Sequence, residues 1–79
     1  MQSLDRASAL LELLSRVDEG LPVSALSQQM GLPVATVHRF LKSLEANGLV
    51  EQDPRTRLYR LGARILTLAS RFLNSNRLI

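Results

Sequence analysis

The residues able to do chemistry are few, and most lie close together in "LPVATVHRFLKSL", Leu32 to Leu44. Thr36, His38, Arg39 and Lys42 bring a hydroxyl, an imidazole, a guanidinium and an ammonium, and Val34 and Ala35 stand just ahead of them. A second pair, Arg55 and Arg57, flanks Thr56 just after Pro54. The mixture suits recognition of an anion rather than catalysis. Nucleophilic or acid–base chemistry needs a nucleophile beside a base. The 79 residues include one histidine, no cysteine, no glycine-rich phosphate loop and no clustered carboxylates. One histidine without cysteine is thin material for a metal site. An enzyme is therefore not expected, and neither is a metal or cofactor.

Charge favours the same reading. The net charge is +3, but it is split unevenly. Residues 1–37 carry two basic and four acidic side chains, a balance of −2, and residues 38–79 carry eight against three, a balance of +5. A basic half points to a polyanion, or else to a solvated surface rich in arginine. Apolar residues make up 46% of the chain, which fits a globular domain rather than a disordered one. A chain this short makes one small domain that buries only roughly 60% of its unfolded surface. No apolar run reaches the length of a membrane span. Asp5 and Glu12 interrupt the N-terminus too early for a signal peptide. The lack of cysteine suits a reducing compartment.

The elements that must hold these residues follow from periodicity. Leu4, Ala7, Leu10, Leu11, Leu14 and Val17 recur at three- and four-residue steps, which predicts a first helix capped by Ser3 and stopped at Gly20. Leu13 widens its apolar arc, either as core or as a second packing surface. A short helix is predicted from Val23 to Met30, with Leu26 and Met30 inward. Gly31 ends it in a tight turn. Pro33 suits the first turn of a third helix running to about Asn47, with Val37, Phe40, Leu41 and Leu44 inside. "LVEQD" and "RLYRL" read as a hairpin around Pro54-Arg55-Thr56. Gly62 breaks it, and a last helix runs from about Ala63 to Asn74. Its stripe is Ile65, Leu68, Ala69 and Phe72, broadened by Leu66 and Leu73.

Three helices with a trailing hairpin make a mainly α fold with a small β-hairpin, a winged helix-turn-helix. Ser27 supplies the small residue where the two helices cross, and Gly31 turns the chain four residues later. With the apolar stripe inside, the third helix turns outward a row of Ala35, Arg39 and Lys42, with His38 beside it and Thr36 near its start. Such a helix, about 34–47, fits the major groove of double-stranded DNA. Arg39 is then placed to reach guanine O6 and N7. Thr36 can meet a phosphate or a thymine methyl, and Val34 and Ala35 can pack on thymine methyls. Lys42 is assigned to phosphate and His38 to groove contact. The N–H groups near Ser24, at the start of the second helix, can hold a further phosphate. Arg55 and Arg57, on a wing of about 49–61, can lie along the adjacent minor groove or backbone. A protein-binding winged helix is the alternative function.

"SLDRASALLELL", "GLPVATVHRFLKSLEANGLVEQD" and "YRLGARILTLASRFL" together resemble the IclR family of bacterial transcriptional regulators over nearly the whole chain. The resemblance implies a winged helix-turn-helix DNA-binding domain, residues 1–62. It also implies a linker helix, residues 63–79, leading towards an effector-binding domain that this chain lacks. The expected setting is the bacterial cytoplasm, on the nucleoid. The expected partner is a palindromic operator, bound by a homodimer through the first and last helices. A small-molecule effector is expected only for a longer parent chain, so the domain alone should bind DNA without responding to a ligand. The chain departs from the family pattern in four places. Pro22 and Ala25 replace the Ser/Thr and Glu of a capping box, a loss of about 1 kcal/mol. Val34-Ala35 replaces a frequent Lys-Ser. Arg57 stands where the wing turn often has glycine. Leu58 replaces a polar residue and is expected to leave an apolar group exposed on the wing.

Overall fold

Leu10 and Leu14, one helical turn apart, are almost fully buried and mark the inner face of α1, Ser3–Ser15. They belong to a computed structural model that describes residues 2–75. α2 is Val23–Met30, α3 is Val34–Ala46, β1 is Val50–Gln52, β2 is Tyr59–Leu61 and α4 is Ala63–Ser75. Leu10 and Leu14 meet Leu26 of α2, Val37, Leu41 and Leu44 of α3, Val50 of β1 and Tyr59 of β2 in one core. The inward faces of the first three helices close against each other and against the hairpin, as the winged helix-turn-helix requires. The two strands are antiparallel and pair Val50 with Leu61, Glu51 with Arg60 and Gln52 with Tyr59.

Several local expectations are corrected. Ser3 does not cap α1; Gln2 holds that position without a side-chain bond, and Ser3 is the first helical residue. The helix stops at Ser15 rather than at Gly20. The three-residue spacing of Leu14 and Val17 survives in a turn, where the Val17 N–H reaches the Leu14 carbonyl at 3.3 Å. Gly20 has another task. Its φ is +97°, and a Cβ there would lie 2.5 Å from the Tyr59 carbonyl oxygen. The closeness comes from a bridge in which Leu21 and Tyr59 exchange two backbone hydrogen bonds of 2.8 Å each. Leu21 thus adds a one-residue third strand to the wing.

Leu4, expected on the inner stripe, is 79% exposed. Phe40 is only half-buried. Leu13 is half-buried and packs against the core. Leu58 is half-buried rather than exposed, close enough to touch a Cβ at position 20. α4 has the expected amphipathic stripe but no buried residue, and Leu66 reaches 71% exposure. Of the predicted linker, residues 76–79 lie outside the described residues. No described helix is long and apolar enough to cross a membrane.

Candidate nucleic-acid interface

The turn between α2 and α3 fixes how α3 is presented. Gly31 caps α2 in the left-handed region, φ +66°, which costs glycine little. The Ser27 carbonyl accepts the Leu32 N–H at 3.2 Å, and the Ser27 hydroxyl donates to the Leu32 carbonyl. One small side chain therefore grips the residue that leads into α3, and Val37, Leu41 and Leu44 then lock the helix by its inner face.

The opposite face is open. Val34, Ala35, His38, Arg39 and Lys42 are all exposed, and Thr36 is half-buried. Spacings of four and three set Ala35, Arg39 and Lys42 in one row, with Val34 and His38 in the next. Lys42 has a partner in Glu45 at 3.1 Å. An exposed pair of this kind contributes roughly 0–1 kcal/mol, so a phosphate can displace the carboxylate. Ser24 is exposed in the first turn of α2, whose cap residue Pro22 makes no side-chain bond. The N–H groups of Val23 and Ser24 have no carbonyl within the helix to meet, as at any helix start. Among the described residues no hydrogen bond joins Ser24, Arg55 or Arg57 to the α3 row, so the candidate contacts form three separate stations.

The third station is the wing. Asp53 Oδ1 accepts the N–H of Arg55 at 2.8 Å and of Thr56 at 3.3 Å, and the Asp53 carbonyl accepts the Arg57 N–H at 2.7 Å. These bonds fold Pro54-Arg55-Thr56 into a tip with Arg55 and Arg57 exposed on it. Arg57 has φ +68°, so the arginine takes on the left-handed backbone that glycine adopts more easily. Arg57→Gly is expected to relax that strain and change stability by less than about 1 kcal/mol, while weakening binding to any anion the wing touches. Parallel denaturation and binding titrations would show the two effects diverging.

Hydrogen bonds from the N–H groups of Arg55 and Thr56, with the nearby Arg55 and Arg60 charges, hold the Asp53 carboxyl below its ordinary value of 3.8. A lowered folded-state value means that the ionised form supports the turn. That support is fully present above about pH 4 and is lost as pH falls through the lower folded value. Acid should therefore shift the amide resonances of Arg55 and Thr56 before the core unfolds. In Asp53→Asn that titration should vanish because the amide does not ionise, while its oxygen can still accept both bonds and keep the turn.

One residue escaped the sequence reading. Arg6 stands four and eight positions before Leu10 and Leu14, on the stripe that α1 buries. Its Nε is buried and has no hydrogen-bond partner. Arg6 lines an open cleft with Ser3, Arg39, Phe40 and Ser43. Two guanidinium-bearing side chains and two hydroxyls so gathered have the chemistry to accept an anion between α1 and α3. The available signal was a charged residue on an otherwise aliphatic stripe, in a half of the chain whose net charge is negative. Half-buried Phe40 forms part of this cleft.

Residues 3–54 match the profile of the IclR helix-turn-helix domain. The glycerol operon regulatory protein of Streptomyces griseus is 41% identical over 78 residues, covering 99% of this chain and 31% of that protein. The transcriptional repressor IclR of Escherichia coli is 34% identical over 79 residues, covering all of this chain and 29% of the repressor. In solved structures, Pseudomonas aeruginosa HmgR superposes with a TM-score of 0.81 at 31% identity, over 95% of this chain and 32% of that one. An IclR transcriptional regulator from Alicyclobacillus acidocaldarius superposes with a TM-score of 0.85 at 29% identity, over 94% and 30%. The chain thus spans less than a third of each of these relatives, and the profile match covers its helix-turn-helix corner and the exposed α3 row. By that corner, and by the profile that matches it, the chain belongs to the IclR family.

Proposed function

We propose that this chain binds double-stranded DNA sequence-specifically as the DNA-binding domain of a transcriptional regulator, with α3 in the major groove and the wing on the adjacent minor groove or backbone. The observation that carries the reading is the exposed row Ala35, Arg39 and Lys42 on a helix whose other face is locked in the core. Arg39 reads a guanine edge. Lys42, the start of α2 near Ser24, and Arg6 in its cleft hold backbone phosphates, while His38 and Thr36 line the groove. Arg55 and Arg57 meet the minor groove, whose potential is most negative where it is narrow.

Two copies are proposed to act on a palindromic operator. The apolar side chains of Leu4 on α1 and of Leu66, Leu68, Phe72 and Leu73 on α4, all exposed in the single chain, support pairing through those helices. α4 is proposed as the start of a linker towards an effector-binding domain. Among those residues no group of three histidine, cysteine or acidic side chains could hold a metal ion.

The test is a binding titration against duplex DNA at several salt concentrations. Each neutralised phosphate contributes roughly −0.9 to the slope of log affinity against log salt. A slope steeper than about −3 and two chains per site are expected. Binding indifferent to salt would favour the alternative, a winged helix that docks on protein, because fold alone does not decide between them.

A further inference from the structure

The leading end of α3 is unusual for a helix that enters a groove. Pro33, Val34 and Ala35 are consecutive, exposed, and carry only carbon in their side chains. Val34 is 47% exposed, one of the few large apolar side chains left on the surface. No side chain caps this end, since Pro33 occupies the cap position without a side-chain hydrogen bond. The Pro33 carbonyl is already engaged, by the N–H of Thr36 at 3.0 Å and of Val37 at 3.1 Å. Until half-buried Thr36, the tip therefore offers a base edge no side-chain donor or acceptor.

The side chains here offer only apolar contact, while the free N–H groups of Val34 and Ala35, like those at the start of α2, suit a phosphate oxygen rather than a base edge. The apolar feature that a base pair shows in the major groove is the C5 methyl of thymine. Cytosine presents the same position with a hydrogen, and 5-methylcytosine restores the methyl there. The occupant of this patch is fixed by its surroundings. Arg39 and Lys42, exposed on the same helix, draw a polyanion to this face, and within that polyanion only a methyl group matches aliphatic carbon.

Building on the DNA-binding reading above, we infer that the Val34–Ala35 tip reads a pyrimidine C5 methyl, carried by thymine or by 5-methylcytosine, and that binding is thereby sensitive to base methylation. Spacing locates the pyrimidine. Ala35 and Arg39 are four residues apart, a rise of about 6 Å, while base pairs stack about 3.4 Å apart. The methyl-bearing base lies about one or two pairs from the guanine that Arg39 reads.

The experiment starts from a half-site selected by this chain from a random duplex pool. Duplexes are then compared that differ only at the assigned pyrimidine: thymine, deoxyuridine, cytosine or 5-methylcytosine. Thymine to deoxyuridine removes a single methyl and is expected to weaken binding about fourfold, the equivalent of one buried carbon. Methylating cytosine at that position should strengthen binding by a similar factor. Val34→Ser, at an exposed position, should flatten both differences and leave the salt slope unchanged.

The inference is overturned if deoxyuridine at every thymine of the site changes affinity less than twofold, or if the methyl effect persists in full in both Val34→Ser and Ala35→Ser. A thymine preference with no response to 5-methylcytosine overturns the sensitivity to methylation. If the wild-type chain shows no salt-dependent binding to any duplex, the DNA-binding reading itself falls. Salt-dependent binding without a methyl effect sinks only the inference.

Discussion

Arg39→Ala should lower affinity for the selected site by about one to two powers of ten, corresponding to about 1–3 kcal/mol for a lost bidentate contact to guanine. The loss should be concentrated at one base pair. Duplexes changed at that pair would bind the variant almost as well as the selected site does, while changes elsewhere would keep their full cost. The geometry behind this is an exposed guanidinium on the open row of α3, one turn beyond Ala35. Arg39 also borders the cleft that holds Arg6, Ser3 and Ser43, so phosphate is a second possible target for it. The two targets differ in what they do to specificity. A phosphate contact lowers affinity for all sequences alike and reduces the salt slope by about one. Lys42→Ala is expected to behave in that way and serves as the reference. If Arg39→Ala weakens every duplex equally, Arg39 belongs to the phosphate cleft and the base-reading role passes to another residue. Selection from a random pool by both proteins distinguishes the cases.

A large loss of stability is expected from Gly20→Ala. The glycine is buried with φ +97°, a backbone that side-chain-bearing residues rarely adopt. An added Cβ would lie 2.5 Å from the Tyr59 carbonyl oxygen and 3.3 Å from the Leu58 Cβ. The nearest obstacle is backbone and cannot rotate away. Either residue 20 leaves its conformation, at a cost of about 1–3 kcal/mol, or the Leu21–Tyr59 pair separates and each bond lost costs about another 1 kcal/mol. By either route a loss of about 2–3 kcal/mol is a large share of the roughly 5–15 kcal/mol available to a small domain. The midpoint of thermal unfolding should fall by about 15 °C or more. Gly31→Ala is the contrast. It also has positive φ, but a Cβ there would meet nothing within 4 Å, so only the conformational cost applies. If the two variants melted together, the close approach to Tyr59 would carry no energetic weight.

These cases show where the sequence was legible. The helix-turn-helix corner could be read because each requirement has a residue type attached to it. Ser27 had to be small, Gly31 had to turn left-handed, and Val37, Leu41 and Leu44 had to repeat at helical spacing. The bounds of α2 and α3 followed almost to the residue. The Leu21–Tyr59 bridge leaves no mark in the sequence because a one-residue strand has no periodicity, and for the same reason Gly20 reads there as a helix stop. Tyr59 and Val50 lay in runs read as strand-forming, but which of their residues faced the core depended on how the hairpin folds onto α1. α4 shows a further limit. An amphipathic stripe reveals which side is apolar, not whether a partner lies against it in the same chain. Arg6 is hidden within the acidic balance of residues 1–37, because the cleft joins a residue of the acidic half to one of the basic half.

The Leu21–Tyr59 pair also bears on the order in which the molecule assembles. It joins positions 38 apart in the chain (59 minus 21), whereas α2, the turn at Gly31 and α3 depend on near neighbours. Distant pairings form slowly, because loop closure must precede any reward. The wing should therefore dock onto a helical nucleus already in place. Damage at a late-forming contact is felt mainly in the rate of escape from the native state. A chevron for Gly20→Ala would show a raised unfolding arm over a nearly unchanged refolding arm.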